Sequence, residues 1–144
     1  MAATRAAILA FMRARRLVVQ ASVSPSGSPQ AAVVGVIVTD AFEVFFDTLD
    51  TSRKMLNLRN YPKIAFVIGG VADGDERTVQ YEGVTDEPSG ADLERLKELY
   101  FLRFPDGLDR LAWPGLTYVR VTPGWIRFSD FSQTPPEVVE LRFP

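Results

Sequence analysis

The run Ser52-Arg53-Lys54 is the part of this sequence best suited to bind a charged group. It follows Asp50 and Thr51, residue types that favour the start of a helix. Cations are unfavourable in a first helical turn, because the free backbone amides there already carry partial positive charge. A bound phosphate would turn these repulsions into attractions, since amides, hydroxyls and cations would all face one anion. Taken alone, the run favours an ordinary solvated basic turn slightly over a phosphate site.

The 144 residues contain no cysteine and no histidine. The thiol nucleophile, the usual zinc ligands and the commonest general base are therefore missing, and no metal site is expected. No side chain stands out as a catalytic acid or base. If the protein does chemistry, an organic cofactor is the most suitable reactive centre.

Composition favours one globular domain over residues 1–144, with 47% hydrophobic and 24% charged residues. The formal net charge of −2 argues against broad nucleic-acid binding. No apolar run reaches the roughly 18 residues that span a bilayer. The first apolar stretch is short and meets Arg13, Arg15 and Arg16, which is unlike a signal peptide. A cytoplasmic protein is expected.

Periodicity and turn residues predict a mainly β chain with about three helices. The helices begin after Thr4, near Ser52 and after Ser89. The strands are predicted at 17–24, 31–38, 42–49, 64–68, 77–85, 116–121 and 125–128, with a polar loop over 69–76. Residues 31–38, nearly all small or β-branched, are predicted to be buried on both faces. Short links favour an antiparallel meander, and six or seven such strands tend to close into a barrel.

The stretch from Phe46 to Ile68, which sets the Ser52-Arg53-Lys54 run between two strands, resembles the pyridoxamine 5′-phosphate oxidase-like family of FMN-binding split barrels. The likeness extends over about residues 5 to 130 in strand order and helix placement. It implies a six- to seven-stranded antiparallel split β-barrel. It also implies a homodimer with the flavin at the two-fold interface, where the tail 132–144 is a candidate for an interface segment.

The resemblance implies a set of FMN contacts. Ser52, Arg53 and Lys54 would bind the phosphate. The other implied contacts are Asp47 and Thr48 at the end of the preceding strand, the backbone of Ala32, Val33, Val34 and Gly35, the side chain of Thr78 or of Gln80 on the same strand face, and Trp125 on the last strand. The small residues at Ala32 and Gly35 are equally compatible with close barrel packing. A tryptophan such as Trp125 is more often a core or interface aromatic than a cofactor contact.

The substrate side of the resemblance is incomplete. Pyridoxamine phosphate oxidases place arginines, a lysine and a histidine around the vitamin phosphate, whereas this chain has Ala32 and Ile37 at two of those positions and no histidine. Oxidation of vitamin B6 is therefore not expected. The leading hypothesis is an FMN-dependent oxidoreductase acting on an unidentified small molecule. The alternatives are an enzyme using the deazaflavin F420, a flavin carrier or sensor without turnover, and a relative that has lost its cofactor.

Overall fold

The computed structural model describes residues 2–144, and its main feature is one antiparallel sheet curled into a half-barrel. The helices are α1 (Arg5–Arg13), α2 (Arg53–Asn60), α3 (Gly90–Arg103) and α4 (Gly107–Arg110). The strands are β1 (Leu17–Val23), β2 (Pro29–Gly35), β3 (Ile37–Val38), β4 (Val44–Leu49), β5 (Lys63–Gly69), β6 (Arg77–Asp86), β7 (Leu116–Asp130) and β8 (Glu137–Arg142). No helix in the described part of the chain has the length and apolar character to cross a membrane.

The strands follow the order β2-β1-β5-β6-β7-β4-β3, and β8 pairs with β7 outside this path. All the pairings are antiparallel. The predicted fold class, a mainly β chain forming an antiparallel split barrel with flanking helices, is confirmed. Strands β2 and β3 stand at the two ends of the path, so each has one edge without a partner strand.

Alternation along β6 shows how the barrel separates its two faces. Val79 and Tyr81 are buried inside the barrel, whereas Thr78 and Gln80 point outward, as the two-residue period predicts. The hydroxyl of Tyr81 donates to the Phe42 carbonyl at 2.8 Å, which satisfies its only buried polar atom. The inward side of the sheet and the helices that cover it form the hydrophobic core.

Hydroxyl side chains begin the first two helices, as predicted. The Thr4 hydroxyl accepts from the Ala7 amide at 3.1 Å, and the Ser52 hydroxyl accepts from the Met55 amide at 3.4 Å. Helix α2 ends before Pro62, because the residue preceding a proline avoids helical geometry. The capping places Arg53 and Lys54 in the first turn of α2.

The predicted strand 31–38 is wrong in two respects. It is two strands, β2 and β3, separated at Val36, whose amide donates to the Arg16 carbonyl at 3.0 Å. It is also not buried on both faces, since Ala31, Ala32 and Val33 are exposed. Strand β2 is an edge strand, and small or β-branched residues occur there as well as in a core.

The C-terminal third also differs from the prediction. The two predicted closing strands are one, β7, which continues through Pro123 and pairs with β6 across a register shift at Glu82/Gly83. The irregular stretch after Phe104 contains the one-turn helix α4. Part of the tail 132–144 forms β8, which pairs with β7 of its own chain.

Candidate functional site

The start of α2 and the end of β4 bring four of the predicted residues together. The Thr48 hydroxyl donates to the Ser52 hydroxyl at 3.1 Å, and the Lys54 ammonium donates to Thr48 Oγ1 at 3.4 Å. Arg53 lies beside them in the first helical turn. The structure therefore gathers two hydroxyls and two cations at a helix N-terminus, which is suitable chemistry for an anion.

Arg53 and Lys54 line a pocket of about 450 Å³ with residues of the β1–β2 hairpin, here called the phosphate-site pocket. The hairpin residues are Gln20, Ser22, Pro29, Gln30, Ala31 and Ala32. Partial burial lowers the pKa of Lys54, because the ammonium loses hydration. Within residues 2–144, no carboxylate forms an ion pair with Lys54 or Arg53. A bound anion would supply the missing counter-charge.

The floor of this pocket is polar, which was not predicted from the sequence. The Asn57 amide donates to the Ser22 hydroxyl and to Gln30 Oε1, both at 2.9 Å. Gln20 is buried, and its Oε1 has no hydrogen-bond partner. Gln20 and Ser22 occupy alternate positions of β1 on the inward face, between apolar neighbours. Polar residues at inward positions of an otherwise apolar strand were the available signal.

Asp47 precedes Thr48 but its side chain points to the opposite face of β4. Its carboxylate accepts from Arg110 Nε at 2.7 Å and from the Tyr100 hydroxyl at 2.9 Å. Burial and the nearby Asp47 carboxylate raise the pKa of Tyr100. The Asp47 side chain is 9% exposed and is fully occupied by this cluster. It therefore does not join the group around Lys54.

The four predicted residues of β2 have four different surroundings. Ala32 lines the phosphate-site pocket, Val34 is buried, and Val33 is 63% exposed on the other face. Gly35 lies against Phe104, and an added Cβ would be 2.8 Å from two carbons of that ring. At Gly35 the small residue is thus explained by close packing. At Ala32 it leaves the pocket open.

Thr78, Gln80 and Trp125 are on the outward face of the sheet. Gln80 and Trp125 line a small second pocket of about 130 Å³, and Trp125 Nε1 donates to Glu140 at 3.3 Å. Thr78 is on the same face, two residues before Gln80 in β6, and does not line that pocket. The structure does not choose between Thr78 and Gln80 as a ligand contact.

Strand β1 separates the two groups of predicted residues. The phosphate-site pocket contains Gln20 and Ser22, whereas the pocket of Gln80 and Trp125 contains Val19 and Ala21. Because neighbouring side chains of a strand point to opposite faces, the two pockets lie on opposite sides of β1. A single chain does not bring all the predicted residues to one site.

The outward face of β1, β2 and β5 is apolar and uncovered in the single chain. It carries Val19, Ala21, Val33, Ala65 and Val67, and we call these residues the outer face. Val33 and Val67 are 63% and 44% exposed. Contiguous apolar residues exposed on a sheet commonly mark an interaction surface.

Several solved structures share the fold. A heme-binding protein from Mycobacterium smegmatis matches with a TM-score of 0.81 and 15% identity, over 99% of this chain and 60% of that chain. The heme storage protein HutZ from Vibrio cholerae matches with a TM-score of 0.72 and 16% identity, over 85% and 91%. General stress protein 26 from Bacillus anthracis matches with a TM-score of 0.68 and 20% identity, over 93% and 95%.

These identities establish a common fold only. This chain spans 60% of the length of the M. smegmatis protein. No match was found among curated proteins. Residues 4–130, most of the chain, match the model of the pyridoxamine 5′-phosphate oxidase family, and the chain therefore belongs to that family.

Proposed function

We propose that this chain is a cytoplasmic, FMN-binding homodimer that acts as a flavin-dependent oxidoreductase. The observation that carries the proposal is the cation pair Arg53 and Lys54 at the start of α2, beside the hydroxyls of Thr48 and Ser52. No carboxylate among residues 2–144 pairs with either cation. These groups suit the phosphate of FMN. When bound, the flavin supplies two-electron chemistry, and the chain's residues anchor and orient it.

A homodimer accounts for the separation of the predicted residues. An FMN molecule whose phosphate lies by Lys54 is on the opposite face of β1 from Trp125 and Gln80 of the same chain. A two-fold related copy covering the outer face would bury Val33 and Val67. Where that copy extends past the free edge of β2, whose Ala31 and Ala32 line the phosphate-site pocket, it would bring its own residues to the ligand. The same two-fold operation would create two equivalent sites.

Heme is the second candidate, because two of the structural neighbours are described as heme proteins. Heme iron is generally held by histidine, cysteine, methionine or tyrosine, and this sequence lacks the first two. Met12, Met55 and Tyr81 are fully buried in the core, so they do not offer an accessible ligand. Tyr61 is 46% exposed, but it lines a different pocket from Arg53 and Lys54. The residues of this chain thus favour a flavin over heme.

The first experiment identifies the chromophore. We expect the purified protein to be yellow and to release a compound with the mass of FMN. Release of F420 would show that the protein uses the deazaflavin instead, and a heme absorption spectrum with stoichiometric iron would overturn the flavin proposal.

Reduction by NAD(P)H with turnover of an electron acceptor would distinguish an oxidoreductase from a carrier or sensor.

The second experiment tests the phosphate site. We expect Arg53→Ala with Lys54→Ala to weaken FMN binding by about 100-fold or more, because two charge-assisted contacts are lost. Riboflavin, which lacks the phosphate, should lose less than about threefold, as fluorescence titration of both ligands would show. The control removes two cations near the other end of α2, with Arg59→Ala and Lys63→Ala. Equal loss of FMN and riboflavin would contradict the assignment.

A further inference from the structure

Another cleft, of about 480 Å³, lies between α1, β3 and α3, and we call it the α1–α3 cleft. Its lining residues are Met12, Arg13, Arg15, Val36, Ile37, Val38, Leu99, Leu102 and Arg103. None of them lines the phosphate-site pocket. The volume is within the range of pockets that hold small organic ligands.

The apolar part of the cleft has a floor and a rim. The floor consists of buried core residues, among them Met12 and Val36. The rim is formed by Leu99 and Leu102 of α3, which are 41% and 81% exposed. Nothing in residues 2–144 covers Leu102, although it borders a concave apolar surface. An apolar ligand lying on this floor would remove both leucines from water.

The arginines of the cleft differ in their partners. Arg13 pairs with Asp40 and Arg15 pairs with Asp75, each at 2.7 Å. Arg103 forms no ion pair within the described residues, and its Nε is buried without a hydrogen-bond partner. The guanidinium of Arg103 is thus the one cation of the cleft that is free to bind an added anion.

We propose that the α1–α3 cleft binds a small amphipathic carboxylate. The apolar body of the ligand lies under Leu102, on the floor formed by Met12, Val36, Ile37 and Val38. Its carboxylate accepts from Arg103. A guanidinium matches a carboxylate in planar, two-point geometry. One unpaired cation over a mostly apolar lining suits a single negative charge better than the double charge of a phosphate monoester. The site is independent of the flavin proposal.

The test compares ligands of one chain length that differ in their head group. We expect octanoate to bind the purified full chain and 1-octanol to bind at least about tenfold more weakly, as measured by calorimetry, because only octanoate pairs with Arg103. In ¹⁵N NMR spectra, octanoate should shift the Nε–H resonance of Arg103. Equal affinity for octanoate and octanol would overturn the proposal.

Two variants test the residues. Arg103→Met keeps the apolar stem, and we expect it to lose about tenfold in octanoate affinity while octanol binding is unchanged. Arg95→Met, which removes an exposed cation of the same helix, is the matched control.

Leu102→Glu changes an exposed rim residue without disturbing the core, and should lower the affinity for octanoate because the two carboxylates repel each other. Wild-type affinity in both variants would overturn the proposal. So would a Leu102→Glu effect confined to the oligomeric state, which would identify the cleft as a protein contact.

Discussion

Asp47 and Thr48 are neighbours in sequence but belong to different parts of the molecule. Thr48 faces Ser52 and Lys54, whereas Asp47 joins Arg110 and Tyr100 on the other face of β4. Arg110 also donates to Asp106, so the cluster connects α4 with the end of β4. We infer that the Asp47 cluster fixes the strand end on which Thr48 is carried.

Replacing Asp47 with asparagine should destabilise the protein by about 3 kcal/mol, near the lower end of the range for breaking a buried ion pair. The reason is that Arg110, whose side chain is 18% exposed, loses its buried carboxylate partner while remaining largely covered. Urea unfolding followed by fluorescence measures the change. Asp106→Asn removes the exposed partner of the same arginine and should have a much smaller effect. Equal effects of the two substitutions would contradict a structural role specific to Asp47.

At the residue scale, charge placement predicted Ser52-Arg53-Lys54 as a candidate anion site, because cations in a first helical turn are unfavourable and can be recognised in the sequence. The same reasoning could not assign Asp47 to an internal ion pair. Its partner Arg110 is 63 residues away, and only the pairing of β4 with its neighbours sets the face to which Asp47 points. Gln20 differs from Asp47, because its polar side chain at an inward position of an apolar strand is visible in the sequence.

The loop between β5 and β6 shows how one carboxylate joins separate elements. Asp75 accepts from Arg77 at the start of β6 and from Arg15 after α1, at 2.9 and 2.7 Å. The sequence predicted only a polar loop here. Hydrogen bonds from the side chain and backbone of Arg77, together with the charge of Arg15, hold the pKa of Asp75 well below its usual range.

This shift predicts a pH-dependent contribution to stability. The folded state keeps Asp75 ionised at pH values where the unfolded chain, with a pKa of about 3.9, takes up a proton. The stabilisation is therefore fully present above about pH 5 and is lost as the pH falls toward the lowered pKa. The difference in unfolding free energy between wild type and Asp75→Asn should be constant from pH 7 to 5 and should shrink below pH 4. Asp73→Asn, in the same loop, serves as the control. A difference that grows on acidification would contradict the ion-pair account.

At the element scale, the sequence predicted the positions of most strands along the chain and the three longer helices, because alternation and capping are local signals. It could not distinguish a buried strand from an edge strand for residues 31–38, since small and β-branched residues suit both. It also did not identify β8. A short strand that pairs only with β7 gains its stability from that neighbour and carries a weak signal of its own.

At the scale of the whole molecule, the sheet has two different surfaces. One side carries the core and the phosphate-site pocket, and the other carries the outer face with the Trp125 pocket. Family membership was predicted from local motifs and is confirmed. The separation of the predicted ligand contacts by β1 could not be foreseen, because it depends on which residues of paired strands share a face.

If the proposed homodimer forms through the outer face, a charge introduced there should both separate the subunits and weaken FMN binding. Val67 is 44% exposed in the single chain, so the Val67→Glu variant should fold normally. In a two-fold dimer the substitution would place two poorly hydrated carboxylates in the interface, where they repel each other, so the variant should be a monomer. Sedimentation velocity at micromolar concentration should give the monomer mass, and FMN affinity should fall by at least about tenfold. Val71→Glu lies in the β5–β6 loop, where Val71 is 87% exposed, and should stay dimeric with unchanged FMN binding. A wild-type protein that binds FMN as a monomer, or a Val67→Glu variant that remains a dimer with full affinity, would show that the site is complete without the outer face of a second chain.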